Sequence, residues 1–125
     1  MQDEPTPVEL TKAVADFLRD DIAPMISGHN AFKLRVAINM LDLVTRQLTL
    51  EQGSDDAEAA RLSQLLGLQG SLPELNRALA GKIAAGEFGL QTPGLSEHLW
   101  RTTMDKLAVD QPNYAAYKRE LQGKE

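Results

Sequence analysis

Apolar residues recur at helical spacing in several segments of the chain, and signals for helix starts or stops flank these segments. The first segment follows Thr6-Pro7-Val8-Glu9, where a capping threonine, a proline in the first turn and a glutamate three residues after the cap are typical of a helix start. We expect this helix to fray near Ile22, because Pro24 disfavours helical geometry in the residue before it. Its apolar side contains Leu10, Val14, Phe17 and Leu18.

The longest periodic segment runs from about residue 31 to residue 52. The preceding Ser27-Gly28-His29-Asn30 predicts a turn with Asn30 as the helix cap, and Gly53 stands where a left-handed C-terminal residue is favoured. Ser54 is then expected to begin another helix that stops near Gly67, since acidic residues follow it in the first turn.

Two further helices are predicted in the last third of the chain. Ser71-Leu72-Pro73-Glu74 has the same capping pattern as the first helix, and this helix should end at Gly86. Thr92-Pro93 is expected to open the last long helix, which Pro112 closes, and Tyr114 with Tyr117 indicates a final short turn.

These segments predict an all-α fold, a compact bundle of about five helices around a central buried helix at about 31–52. Leucine and alanine together number 34 against nine valines and isoleucines, which favours helices over sheet. We expect a single domain over residues 1–125, with flexible ends at 1–5 and 120–125.

A polar stripe follows one side of the predicted central helix. At 100° per residue its members fall within an arc of about 80°, whereas most of the remaining circumference is apolar. We therefore expect neighbouring elements to enclose this helix, with the stripe in a solvent slot or an internal network. The stripe consists of Arg35, Asn39, Asp42 and Arg46, followed by Thr49.

Three interpretations of the polar stripe remain open at this stage. It is a solvated edge with an i, i+4 pair between Asp42 and Arg46, or a structural network that ties the helix to its neighbours. In the third interpretation the stripe binds an anionic acyl or phosphorylated metabolite. Arg35 and Arg46 would hold the anion, because guanidinium groups make paired hydrogen bonds to carboxylate and phosphate. Asn39 would orient the anion, and Asp42 would position an arginine or accept a proton.

Charge and composition limit the other function classes. Thirteen basic residues against eighteen acidic ones give a net charge of -5, which disfavours nucleic-acid partners. The helix-turn-helix rhythm after Leu62 is also unfavourable for DNA, since Pro73 and Glu74 would face the major groove. No apolar run is long enough for a membrane span and no signal peptide is recognisable, so we expect a cytoplasmic protein without a membrane partner.

The residues of metal sites and of common catalytic motifs are scarce. There is no cysteine, and His29 and His98 have no metal-ligand spacing. Nucleophile-elbow and phosphate-loop motifs do not occur either. We therefore expect no metal, no cofactor and no catalytic residue, although an enzyme is not excluded.

Three short motifs suggest a family. Phe32-Lys33-Leu34-Arg35-Val36-Ala37-Ile38-Asn39-Met40-Leu41, the segment 78–86 and the segment 107–112 resemble a group of small, uncharacterised, helical bacterial proteins. The chain has Gln47 where such proteins usually have glutamate. The resemblance implies genes that often lie beside aminoglycoside-phosphotransferase-like kinases and acyl-CoA dehydrogenases, and it supplies no catalytic residue.

Two functional hypotheses follow. The first is a non-catalytic accessory protein that binds another protein, with a kinase-like or dehydrogenase enzyme as its candidate partner, and that is able to self-associate. It predicts an exposed apolar patch on the isolated chain. The second is a protein that binds an anionic small molecule, or an enzyme that acts on one, through the polar stripe described above. Aromatic residues near the C-terminus fit either a core or a partner surface, namely Trp100 with Met104 at i, i+4 and the two tyrosines.

Overall fold

The computed structural model describes residues 3–123, and the chain forms five α-helices and no β-strand in this range. The predicted all-α class is therefore confirmed. The helices are α1 (Pro7–Phe17), α2 (His29–Leu66), α3 (Leu72–Ala84), α4 (Leu95–Asp110) and α5 (Ala115–Gln122). Of the predicted flexible ends, residues 1–2 and 124–125 lie outside the described range.

The two predicted capping boxes are present. The Glu9 amide donates to the Thr6 hydroxyl at 3.2 Å, and the Thr6 amide donates to the Glu9 carboxylate at 2.8 Å. Ser71 and Glu74 exchange the same pair of hydrogen bonds at the start of α3. Each box satisfies two amides that a helix start would otherwise leave unpaired.

Helix α1 loses α geometry before Pro24, as predicted, but earlier than Ile22. After Phe17 the chain widens into a π-helical turn, Leu18–Ile22, in which the amide of Ala23 donates to the carbonyl of Leu18. A short 3-10 segment, Ala23–Met25, follows. Proline has no amide to donate, and this change of hydrogen-bond pattern accommodates it.

The predicted helix boundary at Gly53 is wrong, because α2 continues through it from His29 to Leu66. The left-handed glycines that flank α2 are instead Gly28, with φ 72°, and Gly67, with φ 66°, one on each side of the helix. The predicted cap Asn30 therefore lies inside the helix. A glycine in a helix interior costs only about 1 kcal/mol relative to alanine, and the hydrogen bond from Gln52 to Asp56 at 2.9 Å spans the position.

Replacing Gly53 by alanine should stabilise the protein by about 0.5–1 kcal/mol, since the added methyl group restricts the unfolded chain and favours helix. A Cβ atom at this position meets nothing within 4 Å. The free energy of unfolding, measured in urea, checks this prediction. Alanine at Gly67 is the control and should destabilise, because that residue has a positive φ. Destabilisation by Gly53→Ala would contradict the continuous helix.

The expected enclosure of residues 31–52 is also wrong. Ile38 is the only buried side chain in this segment, and many of its apolar residues are exposed. Their periodicity places apolar groups on more than one side of α2, whereas contact with one other helix covers a single side. The exposed ones are Phe32, Val36, Met40, Val44, Leu48 and Leu50.

The chain divides into two compact units, the first ending at Leu50 and the second beginning at Glu51. The first contains α1 and the N-terminal part of α2. The second contains the rest of α2 with α3, α4 and α5. Its core is a cluster of leucines from α2, α3 and α4, with Phe88 and other half-buried residues packed against it; the buried members are Leu62, Leu75, Leu79 and Leu95.

The start of α4 differs from the prediction. The helix begins at Leu95 with Gly94 as its cap residue, and Gly94 has the left-handed φ of 85°. The predicted cap Thr92 accepts a hydrogen bond from the Gly89 amide instead, at 2.9 Å, and so closes the preceding loop. The end of α4 at Asp110 agrees with the predicted stop before Pro112.

Candidate functional site

In the first unit, α1 and α2 pack against each other through small residues. The hydroxyl groups of Thr11 and Thr45 form a hydrogen bond of 2.7 Å, and Ala15, with no exposed surface, lies in the same side of α1 as Thr11. In the π-helical turn that follows α1, the guanidinium of Arg19 contacts the Asp42 carboxylate at 2.5 Å. From the first contact to the second, the residue number rises from 11 to 19 on one side and falls from 45 to 42 on the other. The two helices are therefore antiparallel.

The polar stripe lies on one side of this helix pair. Arg35 and Asn39 are exposed, and Asp42 and Arg46 are half-buried. The Asp42 carboxylate binds Arg19 of the neighbouring helix, so the stripe takes part in a network between helices. This contact favours the structural interpretation, while a role in binding an anionic metabolite stays a prediction.

The network on the polar side extends along α1. Arg19 also donates to Asp16 at 3.1 Å, and Lys12 donates to the same carboxylate at 2.8 Å. The hydrogen bond from Lys12 is the main cause of the lowered pKa of Asp16. These three side chains are 42–67 % exposed to water, so each pair contributes little to stability.

The opposite side of the same helix pair is apolar. We call it the α1–α2 apolar face, and each of its six side chains is 42–64 % exposed. Three come from α1 and three from α2, with one helical turn between successive members on each helix. They are Leu10, Val14 and Phe17, and Met40, Val44 and Leu48.

Helix geometry shows that the six side chains share one side. We measure angles around each helix from the contact between Thr11 and Thr45, at 100° per residue. Asp42 then lies at about +60° on α2, and Asp16, which binds the same Arg19, lies at about +140° on α1. The positive angles of both helices therefore share a side. The apolar residues lie at about −60° to −140° on both helices, and so they form one surface on the other side.

The second unit holds a buried histidine. His98 on α4 is only 2 % exposed, and its Nδ1 atom accepts a hydrogen bond of 3.2 Å from Nε of Arg61 on α2. The same guanidinium donates to the Thr102 hydroxyl at 3.2 Å. Burial, and secondly the Arg61 charge, lower the pKa of His98, while Glu58 acts in the opposite direction. The imidazole is therefore neutral at pH 7.

A cleft of about 610 Å³ opens beside this histidine. It combines charged groups with apolar walls from three parts of the second unit: the C-terminal part of α2, the loop before α4 and the first turns of α4. Its lining includes Arg61, Leu65, Phe88, Pro93, Glu97, His98 and Arg101. The Arg101 guanidinium binds the Glu97 carboxylate at 2.7 Å at the edge of the cleft.

The C-terminal aromatic residues are not part of the core. Trp100 is 43 % exposed, Tyr114 is exposed, and Met104 and Tyr117 are half-buried. Trp100 and Met104 line a second cleft of about 450 Å³, where Asp105 and Leu121 also lie. These positions agree better with a surface role than with the core interpretation.

Within residues 3–123, no group of three or more histidine and acidic side chains is arranged to hold a metal ion. None of the described helices is both long enough and apolar enough to cross a membrane.

A family model described as "Domain of unknown function (DUF6285)" matches residues 24–114, most of the chain. The chain belongs to this family. No curated protein and no solved structure matches it. The expected membership of an uncharacterised family is therefore confirmed. The DUF6285 match includes the α2 half of the apolar face and both His98 and Arg61, whereas α1 precedes it.

Sequence reasoning missed the pairing of Arg61 with His98 in the DUF6285 domain. In the sequence His98 is one of two histidines without metal-ligand spacing, and its partner Arg61 is 37 positions away. The available signal was local: His98 follows Leu95 by three residues, on the side of α4 that is buried in the core.

Proposed function

We propose that the protein is a non-catalytic, cytoplasmic accessory protein that binds a partner protein through the α1–α2 apolar face. The observation that supports this is the exposure of six large apolar side chains on one side of a single helix pair. Soluble proteins rarely leave such surfaces uncovered, and those that do commonly use them for protein contacts.

The shape of the face indicates the chemistry of the partner. Two antiparallel helices present ridges of side chains with a shallow groove between them, and such a surface packs best against another helix. The partner should therefore offer an amphipathic helix with leucine, isoleucine or phenylalanine on one side. The sequence resemblance suggests the kinase-like and acyl-CoA dehydrogenase enzymes as candidates, and a second copy of this chain offers α1 and α2 themselves.

Charged substitutions within the apolar face test this proposal. We expect Val14→Asp combined with Val44→Asp to weaken binding at least about thirtyfold, because an interface core does not tolerate uncompensated carboxylates. Binding to the purified neighbour-encoded enzymes is measured by biolayer interferometry, and self-association by analytical ultracentrifugation. Both valines are exposed, so helix content should be unchanged.

Asn39→Asp is the matched control, because it adds a carboxylate to an exposed position on the polar side of α2. It should bind like the wild-type protein. The proposal fails if the wild-type chain binds neither enzyme and is monomeric, or if the double variant binds as well as Asn39→Asp.

A further inference from the structure

Arg61 carries a charge that no direct ion pair compensates. Its guanidinium donates to an imidazole nitrogen and to a hydroxyl, both of which are neutral. Among residues 3–123, no carboxylate forms an ion pair with it. A half-buried guanidinium of this kind attracts an anion in its neighbourhood, because no carboxylate neutralises its charge.

His98 supplies a hydrogen-bond donor on the ring edge that faces away from Arg61. Its Nδ1 atom accepts from Arg61, so the imidazole proton is on Nε2, which becomes a donor. Among the described residues this Nε2 group has no hydrogen-bond partner, although His98 is only 2 % exposed. Every fully buried side-chain polar atom in that range has a hydrogen-bond partner. The unpaired Nε2 atom must therefore belong to the small exposed part of His98, which lines the cleft.

The start of α4 adds a favourable field. Pro93 and Gly94 line the cleft, and Gly94 caps this 16-residue helix without any side-chain hydrogen bond. The first amides of the helix therefore receive no side-chain acceptor from the cap residue, and the positive end of the helix dipole lies at the cleft. An anion near His98 would interact favourably with both.

The charges of the cleft match a single negative charge. Arg61 and Arg101 are positive and Glu97 is negative, which leaves one positive charge with His98 neutral. In the second cleft, Glu97 and Asp105 balance the same two arginines, so an anion gains nothing there. The walls of the first cleft at Leu65, Phe88 and Pro93 are apolar.

We propose that this cleft binds a small organic monocarboxylate. Its carboxylate accepts a hydrogen bond from the Nε2 group of His98, on the ring edge that faces away from Arg61, and the Arg61 charge attracts it without direct contact. Its hydrocarbon part lies against Phe88. The site belongs to the second unit and is independent of the α1–α2 apolar face, which lies in the first.

Titration of the full-length protein with paired acids and amides tests this proposal. Acetate, butyrate, hexanoate and benzoate are each compared with the corresponding amide, and inorganic phosphate is included as a more highly charged anion. The histidine nitrogens are followed by NMR, with exposed His29 as an internal control, since the chain has only these two histidines. We expect at least one longer-chain acid to shift the His98 Nε2 signal in a saturable way, while its amide does not and His29 stays unchanged.

Arg61→Gln should weaken the affinity for the best acid at least about tenfold, because the cleft loses its uncompensated positive charge. Arg77→Gln is the control, since Arg77 is exposed on α3 and does not line the cleft. Phe88→Ala should reduce the affinity for the longer acid more than that for acetate.

Equal shifts with acids and amides, or no saturable shift at His98 with any acid at millimolar concentration, would overturn the proposal. Phosphate binding as tightly as the best acid would overturn the assignment to monocarboxylates. These results come from the wild-type protein, so they do not depend on the folding of a variant.

Discussion

Leu62→Ala is expected to destabilise the second unit by about 3 kcal/mol. Leu62 on α2 has no exposed surface, and it packs with Leu75 of α3 and Leu95 of α4. Truncation removes both the burial energy of the side chain and the contacts around the cavity that remains, which together cost about 2–5 kcal/mol in leucine-to-alanine series. The buried cluster has only four members, so few neighbours are available to fill the space.

Trp100 allows this loss to be assigned to the second unit. It is the only tryptophan in the chain, and it lies on α4. Its fluorescence during urea unfolding should report a lower transition midpoint for Leu62→Ala. Leu90→Ala is the matched control, since Leu90 is 92 % exposed and its truncation should change stability by less than about 0.5 kcal/mol. Equal effects of the two substitutions would show that the leucine cluster is not the core.

The helix starts that the sequence predicted best are those with complete capping boxes. In each box, all hydrogen-bonding groups lie within four consecutive residues, so the local sequence is sufficient to predict the helix start. The boxes are Thr6 with Glu9 and Ser71 with Glu74. Gly53 shows the limit of such signals. Glycine favours a helix end only when the chain turns there, and α2 continues through Gly53 with a hydrogen bond from Gln52 to Asp56 across this position.

Burial of α2 could not be inferred from its apolar content. The pattern showed correctly that Arg35, Asn39, Asp42 and Arg46 share one side, but it did not show how many other sides are covered. Only the positions of α1 and its contacts determine that, and they depend on pairs such as Arg19 with Asp42 that are distant in sequence. The excess of apolar positions on α2 therefore indicated an exposed face rather than enclosure.

The buried histidine illustrates the same limit for a site. Each side chain of the cleft has an ordinary local environment in the sequence, with no recognisable motif. The cleft forms because α2, the loop at Phe88 and the start of α4 pack around the leucine cluster. Long-range packing thus places the neutral His98, rather than a carboxylate, against Arg61. The positive charge of Arg61 in the cleft therefore has no ion-pair partner.

Ala15→Asp is expected to separate α1 from α2 at a cost of about 3 kcal/mol. Ala15 is fully buried on the side of α1 that carries Thr11, which contacts α2. A carboxylate there is larger than the methyl group and loses its hydration without gaining a partner, and both effects oppose the packed state. Ala13→Asp is the control, because Ala13 is exposed on the same helix and about 160° away around its axis.

Hydrogen–deuterium exchange of peptides that cover α1 measures this effect. Amides protected by helix packing should exchange about a hundredfold faster in Ala15→Asp and at the wild-type rate in Ala13→Asp. Since the apolar face requires both helices side by side, Ala15→Asp should also lose the partner binding proposed above, while Trp100 fluorescence of the second unit is retained. Faster exchange in α1 with full partner binding would mean that α2 alone carries the interface, because Met40, Val44 and Leu48 would then be sufficient without Leu10, Val14 and Phe17.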